Sequence, residues 1–310
     1  GAVRMGKCFG KPDRNAEPQE TSPIYSGVEY TPSREQRKPV NQVKKTVGMG
    51  NDVSKQRLDA ASKTGIYNIT GKESKEFPKD CLKVSNLRVL TLDKCQLLKV
   101  PPEISSLAAS LQKLMLPNNK LRSLPAELSA FSALQQIDLS GNALESLPDC
   151  FAAMQKLKDM TLASNQLTSL PASIGSAKNL KVLDVSNNRL SSLPAAIGDL
   201  VNLEDLDCNS NRISSLPDTM GGMKRLKRLN ACHNQLAAGA IPGALMRDTP
   251  LDSLRIEGNP LAGLKDEDGY AEYEKRAKTH ELKNIDQRVR TGDLSLGLGT
   301  AEQYAAMHKT

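Results

Sequence analysis

Seven asparagines, Asn119, Asn142, Asn165, Asn188, Asn211, Asn234 and Asn259, recur along the chain; five successive intervals are 23 residues and the last is 25. An asparagine amide carries two donors and an acceptor on a short arm. Repeated on one register, it suits backbone hydrogen bonding: it can satisfy N–H and C=O groups of its own coil of chain and of the next, where a sharp turn strands them. Carboxylates share the register. Asp138, Asp159, Asp184, Asp205 and Asp207 each stand four or six residues ahead of one of these asparagines. Their spacing follows the period rather than the geometry of an acid–base pair, so the chemistry they offer is attraction of cationic groups. The three histidines, at 233, 280 and 308, are scattered, and no phosphate-binding loop, H-E-x-x-H or G-x-S-x-G motif occurs. Of the six cysteines (8, 81, 95, 150, 208 and 232), none forms a C-x-x-C pair. No catalytic residue, metal site or cofactor is therefore expected, and a reduced, cytoplasmic compartment is.

A second kind of chemistry is modification. Met5-Gly6-Lys7-Cys8-Phe9-Gly10-Lys11 would, in a product starting at Met5, place a myristoylatable Gly6 beside a palmitoylatable Cys8 and two lysines. Two acyl chains, or one chain with basic residues, anchor a protein stably to a membrane surface where one chain is marginal. Gly10 stands where the usual motif has Ser or Thr. Met49-Gly50-Asn51-Asp52-Val53-Ser54 has its Ser in that place, which makes Gly50 the rival candidate. Only one of the two can begin a given product, and neither glycine is terminal in the chain as written.

The elements that must position the asparagines and aspartates can be read from Leu134 to Pro148, which runs L-x-x-I-x-L-x-x-N-x-L-x-x-L-P. Alternate residues of its first part point to one face, as in a short strand. The proline suits the first turn of a short convex helix, and apolar residues three and six positions on (Leu128 and Phe131, Phe151 and Met154, Ile197 and Leu200) fit one face of a helical or 3-10 turn. A 20–29-residue unit of this form, repeated, is the mark of a leucine-rich-repeat solenoid. The expected fold is α/β: a horseshoe with a parallel concave sheet and short helical or 3-10 turns on the convex side. Eight coils begin at Leu87, Leu111, Leu134, Leu157, Leu180, Leu203, Leu226 and Leu251. Cys95 replaces the ladder asparagine in the first. Cys208 and Ala231 replace a strand leucine in the sixth and seventh, and the stretch from Asn234 to Pro242 predicts a bulge or changed curvature at Ala237–Ala240.

Composition agrees. The 310-residue chain has no Trp and only 3% aromatic residues, so leucine must fill the core. Its net charge is +7, yet between Leu87 and Leu264 there are 18 Lys/Arg against 16 Asp/Glu, which argues against a nucleic-acid groove on the solenoid. No apolar run reaches membrane-spanning length. Residues 1–48 lack hydrophobic periodicity and read as a disordered extension carrying the acylation candidate. Residues 49–86 read as a helix, from Asn51 to about Lys63 and capped by Asn51 or Asp52, followed by an atypical capping coil. Residues 87–264 hold the eight repeats, 265–285 a C-terminal capping helix, and 286–310 a tail in which Ala301–Met307 is a weak helix candidate.

The stretch from Met49 to Pro78, with Met49-Gly50-Asn51 leading into Thr64-Gly65-Ile66 and Glu76-Phe77-Pro78, resembles the start of the leucine-rich repeat-containing protein 57 family. Gly269-Tyr270-Ala271-Glu272-Tyr273-Glu274-Lys275-Arg276 resembles that family's closing helix, and the likeness covers about residues 49–280. The resemblance implies a non-enzymatic intracellular protein, myristoylated at the position of Gly50.

The register also names the residues of the concave face. One row comprises Thr91, Met115, Asp138, Thr161, Asp184, Asp207, Asn230 and Arg255; the other comprises Val89, Lys113, Gln136, Asp159, Val182, Asp205, Arg228 and Ser253. The middle is acidic and basic residues stand towards the ends. Concave solenoid faces commonly bind partners, so the function expected is a scaffold or adaptor: a monomer, not an enzyme, holding a protein partner by a basic segment and associated with a membrane surface through acyl chains. The alternative is a regulatory subunit docking a small GTPase or a protein phosphatase.

Overall fold

A computed structural model of the chain describes residues 50–71, 76–261, 264–266 and 268–291. All belong to one compact unit, Thr46–Thr291. Gly6, Cys8, the extension before residue 50 and the candidate helix Ala301–Met307 lie outside the described residues.

Among the described residues nine strands form a single sheet in chain order, each paired in parallel with the next. They are β1 (Ile66–Thr70), β2 (Val89–Asp93), β3 (Lys113–Met115), β4 (Gln136–Asp138), β5 (Asp159–Thr161), β6 (Val182–Asp184), β7 (Asp205–Asp207), β8 (Arg228–Asn230) and β9 (Ser253–Arg255). From β3 to β7 the central residue of each strand is buried and its two neighbours are half-exposed, which is period-2 alternation over a one-sided core. The core behind the sheet is a stack of leucines; Leu90, Leu114, Leu183, Leu206 and Leu229 are at most 1% exposed. Fully burying each is worth roughly 1.5–3 kcal/mol.

The asparagine ladder forms, but it reaches to the preceding coil rather than to the following one. Asn188 accepts the N–H of Leu167, 21 residues earlier, and donates to the Leu162 carbonyl, 26 residues earlier, and to its own coil's Val185 carbonyl, each at 3.0 Å. The Val185 carbonyl also receives the amide of Asn211, so every rung shares an acceptor with the next. Asn142, Asn165, Asn211 and Asn234 repeat this register, with Asn119 and Asn259 differing by a few residues. At the first rung the Cys95 thiol faces the Ile69 carbonyl, also 26 residues earlier, at 3.9 Å. It occupies the ladder's place with a weaker donor.

The convex turns are 3-10 except in the seventh coil. Most of the prolines sit at the cap that opens each turn, and in the first coil Pro102 is the turn's first residue. Pro125, Pro171, Pro194 and Pro217 have φ between −66° and −72°. Their carbonyls accept the N–H of Leu128, Ile174, Ile197 and Met220, the buried anchors of the turns. In the third coil Pro148 is set back, and Cys150 caps the turn instead. After Asn234 the longer connection places Gly239 at φ 76°, its neighbour Ala240 accepts the Leu216 N–H at 2.9 Å, and the turn becomes an α-helix, α2 (Gly243–Asp248).

Both ends of the leucine stack are covered. The N-terminal helix, here called α1, spans Gly50–Thr64, with Asn51 and Asp52 within it. It ends at Gly65, whose φ of 70° suits glycine. The closing helix, α3, spans Tyr270–Thr291, starting later and running past the expected residue 285. Its Tyr273 hydroxyl accepts the Leu254 N–H at 3.1 Å, and the Arg276 guanidinium donates to the carbonyls of Leu251 and Met246. The first bond serves β9, the last of the described strands, and the arginine bonds tie α3 to α2 and to the segment leading into β9.

Candidate functional site on the sheet face

The strand register brings the predicted residues together in the predicted rows. Lys113, Gln136, Asp159, Val182, Asp205, Arg228 and Ser253 are successive partners, as are Met115, Asp138, Thr161, Asp184, Asp207, Asn230 and Arg255. Neighbouring strands lie about 4.8 Å apart, so the side chains of each row form one field.

The aspartates have a second task that the sequence does not announce. Asp138 accepts the Ser140 N–H at 2.9 Å and its hydroxyl at 2.7 Å. Asp184 accepts the Ser186 N–H at 3.0 Å. Asp207 accepts the Asn209 N–H at 3.0 Å and, through its other oxygen, the Asn230 amide at 3.0 Å. Each holds the turn that leaves its strand, in the manner of an Asx-turn. Burial pushes the Asp184 carboxyl above the usual carboxylate range; the Ser186 hydrogen bonds oppose the rise, and the charges of Asp207 and Asp138 add to it. Asp159 is also raised, by burial first, against the opposing charges of Lys113, Lys158 and Lys181. Asp205 is paired with Arg228, while its Oδ1 is buried without a hydrogen-bond partner. Arg228 is thus part of the acidic field's own neutralisation and not a separate basic end.

Among the described residues no group of three or more His, Cys, Asp or Glu side chains is placed to hold a metal ion. The five described cysteines are buried, and burial pushes the Cys81 thiol up to about 12 and the Cys150 and Cys232 thiols up to about 11. Such thiols stay protonated and unreactive. His233 is exposed and lies against Gly258; His280 faces Asp252 at 3.6 Å.

Sequence reasoning missed two features on the rim where the chain enters the strands. One is a second, partial asparagine ladder: the amides of Asn86, Asn179 and Asn202 donate to the carbonyls of Ser62, Gln155 and Lys178, each 24 residues earlier. Its signal is an Asn immediately before the first leucine of a coil, present in only three coils. The other is a cavity of about 330 Å³ lined by Gln135, Gln155, Lys156, Lys158, Asn179, Lys181, Asn202 and Arg225. Lys158 and Lys181 stand one residue before their strands, a position outside the two rows.

Comparison with known proteins bears on the repeats. The leucine rich repeat family model matches residues 85–144 and 178–236. The structure of a leucine-rich-repeat protein of Leptospira interrogans is 30% identical, with 67% of this chain and 51% of that chain covered and a TM-score of 0.61. The leucine-rich repeat domain of the type III effector XopL is 27% identical over 73% of this chain and 81% of that one, also with a TM-score of 0.61. An internalin of Listeria monocytogenes, 20% identical over 67% of this chain and 59% of that one at a TM-score of 0.58, shares the fold. The chain thus spans about half of the Leptospira structure and less than two thirds of the internalin.

Proposed function

Proceeding from a chain that is a leucine-rich-repeat protein, of a class that generally mediates protein–protein interaction, we propose that its sheet face docks a protein partner through a basic segment of that partner. The observation that carries the reading is the electrostatic state of the face. Asp138, Asp159, Asp184 and Asp207 share it, and two of them, Asp159 and Asp184, are held above their ordinary carboxyl range. A partner's lysines or arginines would relieve that cost on binding, which favours both affinity and encounter rate.

Because Asp138, Asp184 and Asp207 also hold turns, charge reversal would confuse fold with function. The test is the combined variant Asp138→Asn, Asp184→Asn, Asp207→Asn, in which amide oxygens keep accepting the turn N–H groups. Removing three charges worth about 0.5–1 kcal/mol each should weaken an arginine-rich peptide about tenfold or more. Unchanged affinity, with a melting temperature no lower than that of the unaltered chain, would sink the reading. Scaffolding at a membrane surface, by acylation of Gly6 with Cys8 or of Gly50, belongs to the same proposal. The intact mass of the protein from its native cell tests it: an added acyl mass supports the anchor, and an unmodified N-terminus removes it. Among the described residues no helix is long and apolar enough to cross a membrane.

A further inference from the structure

We propose that the rim cavity is a binding site for a phosphorylated side chain of the same partner whose basic segment lies on the aspartates. The partner's identity rests on the reading above; the cavity's chemistry stands on different residues. Four cations, Lys156, Lys158, Lys181 and Arg225, line it, and no carboxylate does. Of the four, Lys181 forms a salt bridge, to Glu204 at 3.8 Å, and that carboxylate is shared with Lys227 at 2.9 Å. Three of the four neutral lining residues, all but Gln135, are already engaged: Gln155 donates to the Ala152 and Ser176 carbonyls, Asn179 to Gln155 and Asn202 to Lys178. They fix the walls and leave the cations and the Gln135 amide as the donors on offer. A phosphate monoester brings a charge of about −1.5 to −2 and three strong acceptor oxygens, which suits such a cluster better than a single carboxylate does.

Position selects the source of the phosphate. Lys181 precedes Asp184 by three residues along the same strand direction, about 10 Å at the strand rise of roughly 3.3 Å per residue. An extended partner segment covers that distance in three residues, from the cavity to the aspartate rows. An anionic bilayer pressed against the rim would meet the negative sheet face beside it and be repelled. The occupant is therefore a phosphoserine or phosphothreonine set about three residues from basic side chains.

The test uses the full chain and three synthetic peptides. The first carries an arginine cluster with phosphoserine three residues away, the second the same sequence with serine, and the third the phosphoserine with the arginines replaced by alanine. Phosphorylation should tighten binding about tenfold. The variant Lys156→Ser, Lys158→Ser, Arg225→Ser, all at exposed positions, should abolish that ratio without shifting the melting curve. Asp184→Asn with Asp207→Asn should weaken the first two peptides together and leave their ratio intact. If the aspartate face binds no basic segment, the third peptide must still bind and lose its binding in the rim variant. The proposal is overturned by a ratio of one on the unaltered chain, by a ratio that survives the rim variant, or by phosphatidylinositol-bisphosphate vesicles binding through the rim where the phosphopeptides do not.

Discussion

Asn188→Ala should cost far more stability than Cys95→Ala, although both remove a side chain at the same place in the repeat. Asn188 is 8% exposed, and the backbone it serves belongs to Leu162, Leu167 and Val185, which are 0–1% exposed. The losses are unequal; the amide's fourth contact, to the Ser186 carbonyl at 3.0 Å, leaves that carbonyl the Ser164 N–H and adds little. The Leu162 carbonyl keeps the amide of Asn165 and the Val185 carbonyl keeps that of Asn211, so each loses one of two bonds, about 0.5–1.5 kcal/mol. Leu167 N–H has only Asn188 Oδ1, and stranding it costs about 1–3 kcal/mol. The sum is about 2–6 kcal/mol, a large share of the 5–15 kcal/mol that typically holds a domain together. The Cys95 thiol faces carbonyls at 3.9 and 3.4 Å; its removal forfeits a weak donor and some buried area, about 1 kcal/mol. Equilibrium urea unfolding of the two variants, read by circular dichroism, measures both. Equal losses would refute the ladder argument, because the two sites differ chiefly in what the side chain gives to the backbone.

Two further outcomes follow from the geometry. The Asp184 carboxyl is raised on folding, so the native state holds its proton more tightly than the unfolded chain does, and its ionisation disfavours the fold as pH rises through the folded value. Asp184→Asn should therefore stabilise the protein at neutral pH while weakening the basic peptide. Urea midpoints measured across pH should show the gain disappearing below the carboxylate range, and a gain that persists in acid would contradict this. A Cβ on Gly198 would lie 2.4 Å from the Thr219 carbonyl oxygen of the next coil and 2.6 Å from its carbon. Backbone cannot step aside, so Gly198→Ala should cost about 1–3 kcal/mol as an overpacked contact, visible as a lower melting temperature.

What the sequence made legible followed from its period. Counting back from each Asn placed Lys113, Asp138, Asp184 and Arg255 in rows that the parallel pairing reproduces, because a strand with one buried face admits one register. Residues with two roles were not legible in the same way. Nothing in the types Asp138 or Asp207 says that their carboxylates hold turns, since that depends on where Ser140 and Asn209 stand after the chain bends. The ladder's direction was equally hidden: an amide reaching to the previous coil and one reaching to the next have the same sequence. The rim cavity depends on Gln155, Lys158, Lys181 and Arg225 converging from four coils, at positions outside the repeat's consensus.

The backward reach of the ladder sets an order of assembly on the ribosome. The Leu190 N–H waits for Asn211 and the Ile213 N–H for Asn234, each 21 residues later in the chain. A nascent coil is therefore incomplete until almost a whole further repeat has emerged. The two ends also answer differently to shortening. In the ladder itself, loss of coils from the C-terminal side leaves a buried N–H with nothing to receive it, whereas loss from the N-terminal side leaves an idle amide, alongside backbone N–H groups such as Arg189, which donates to Leu167. The clamp of Tyr273 and Arg276 stands at the end where the debt would otherwise fall.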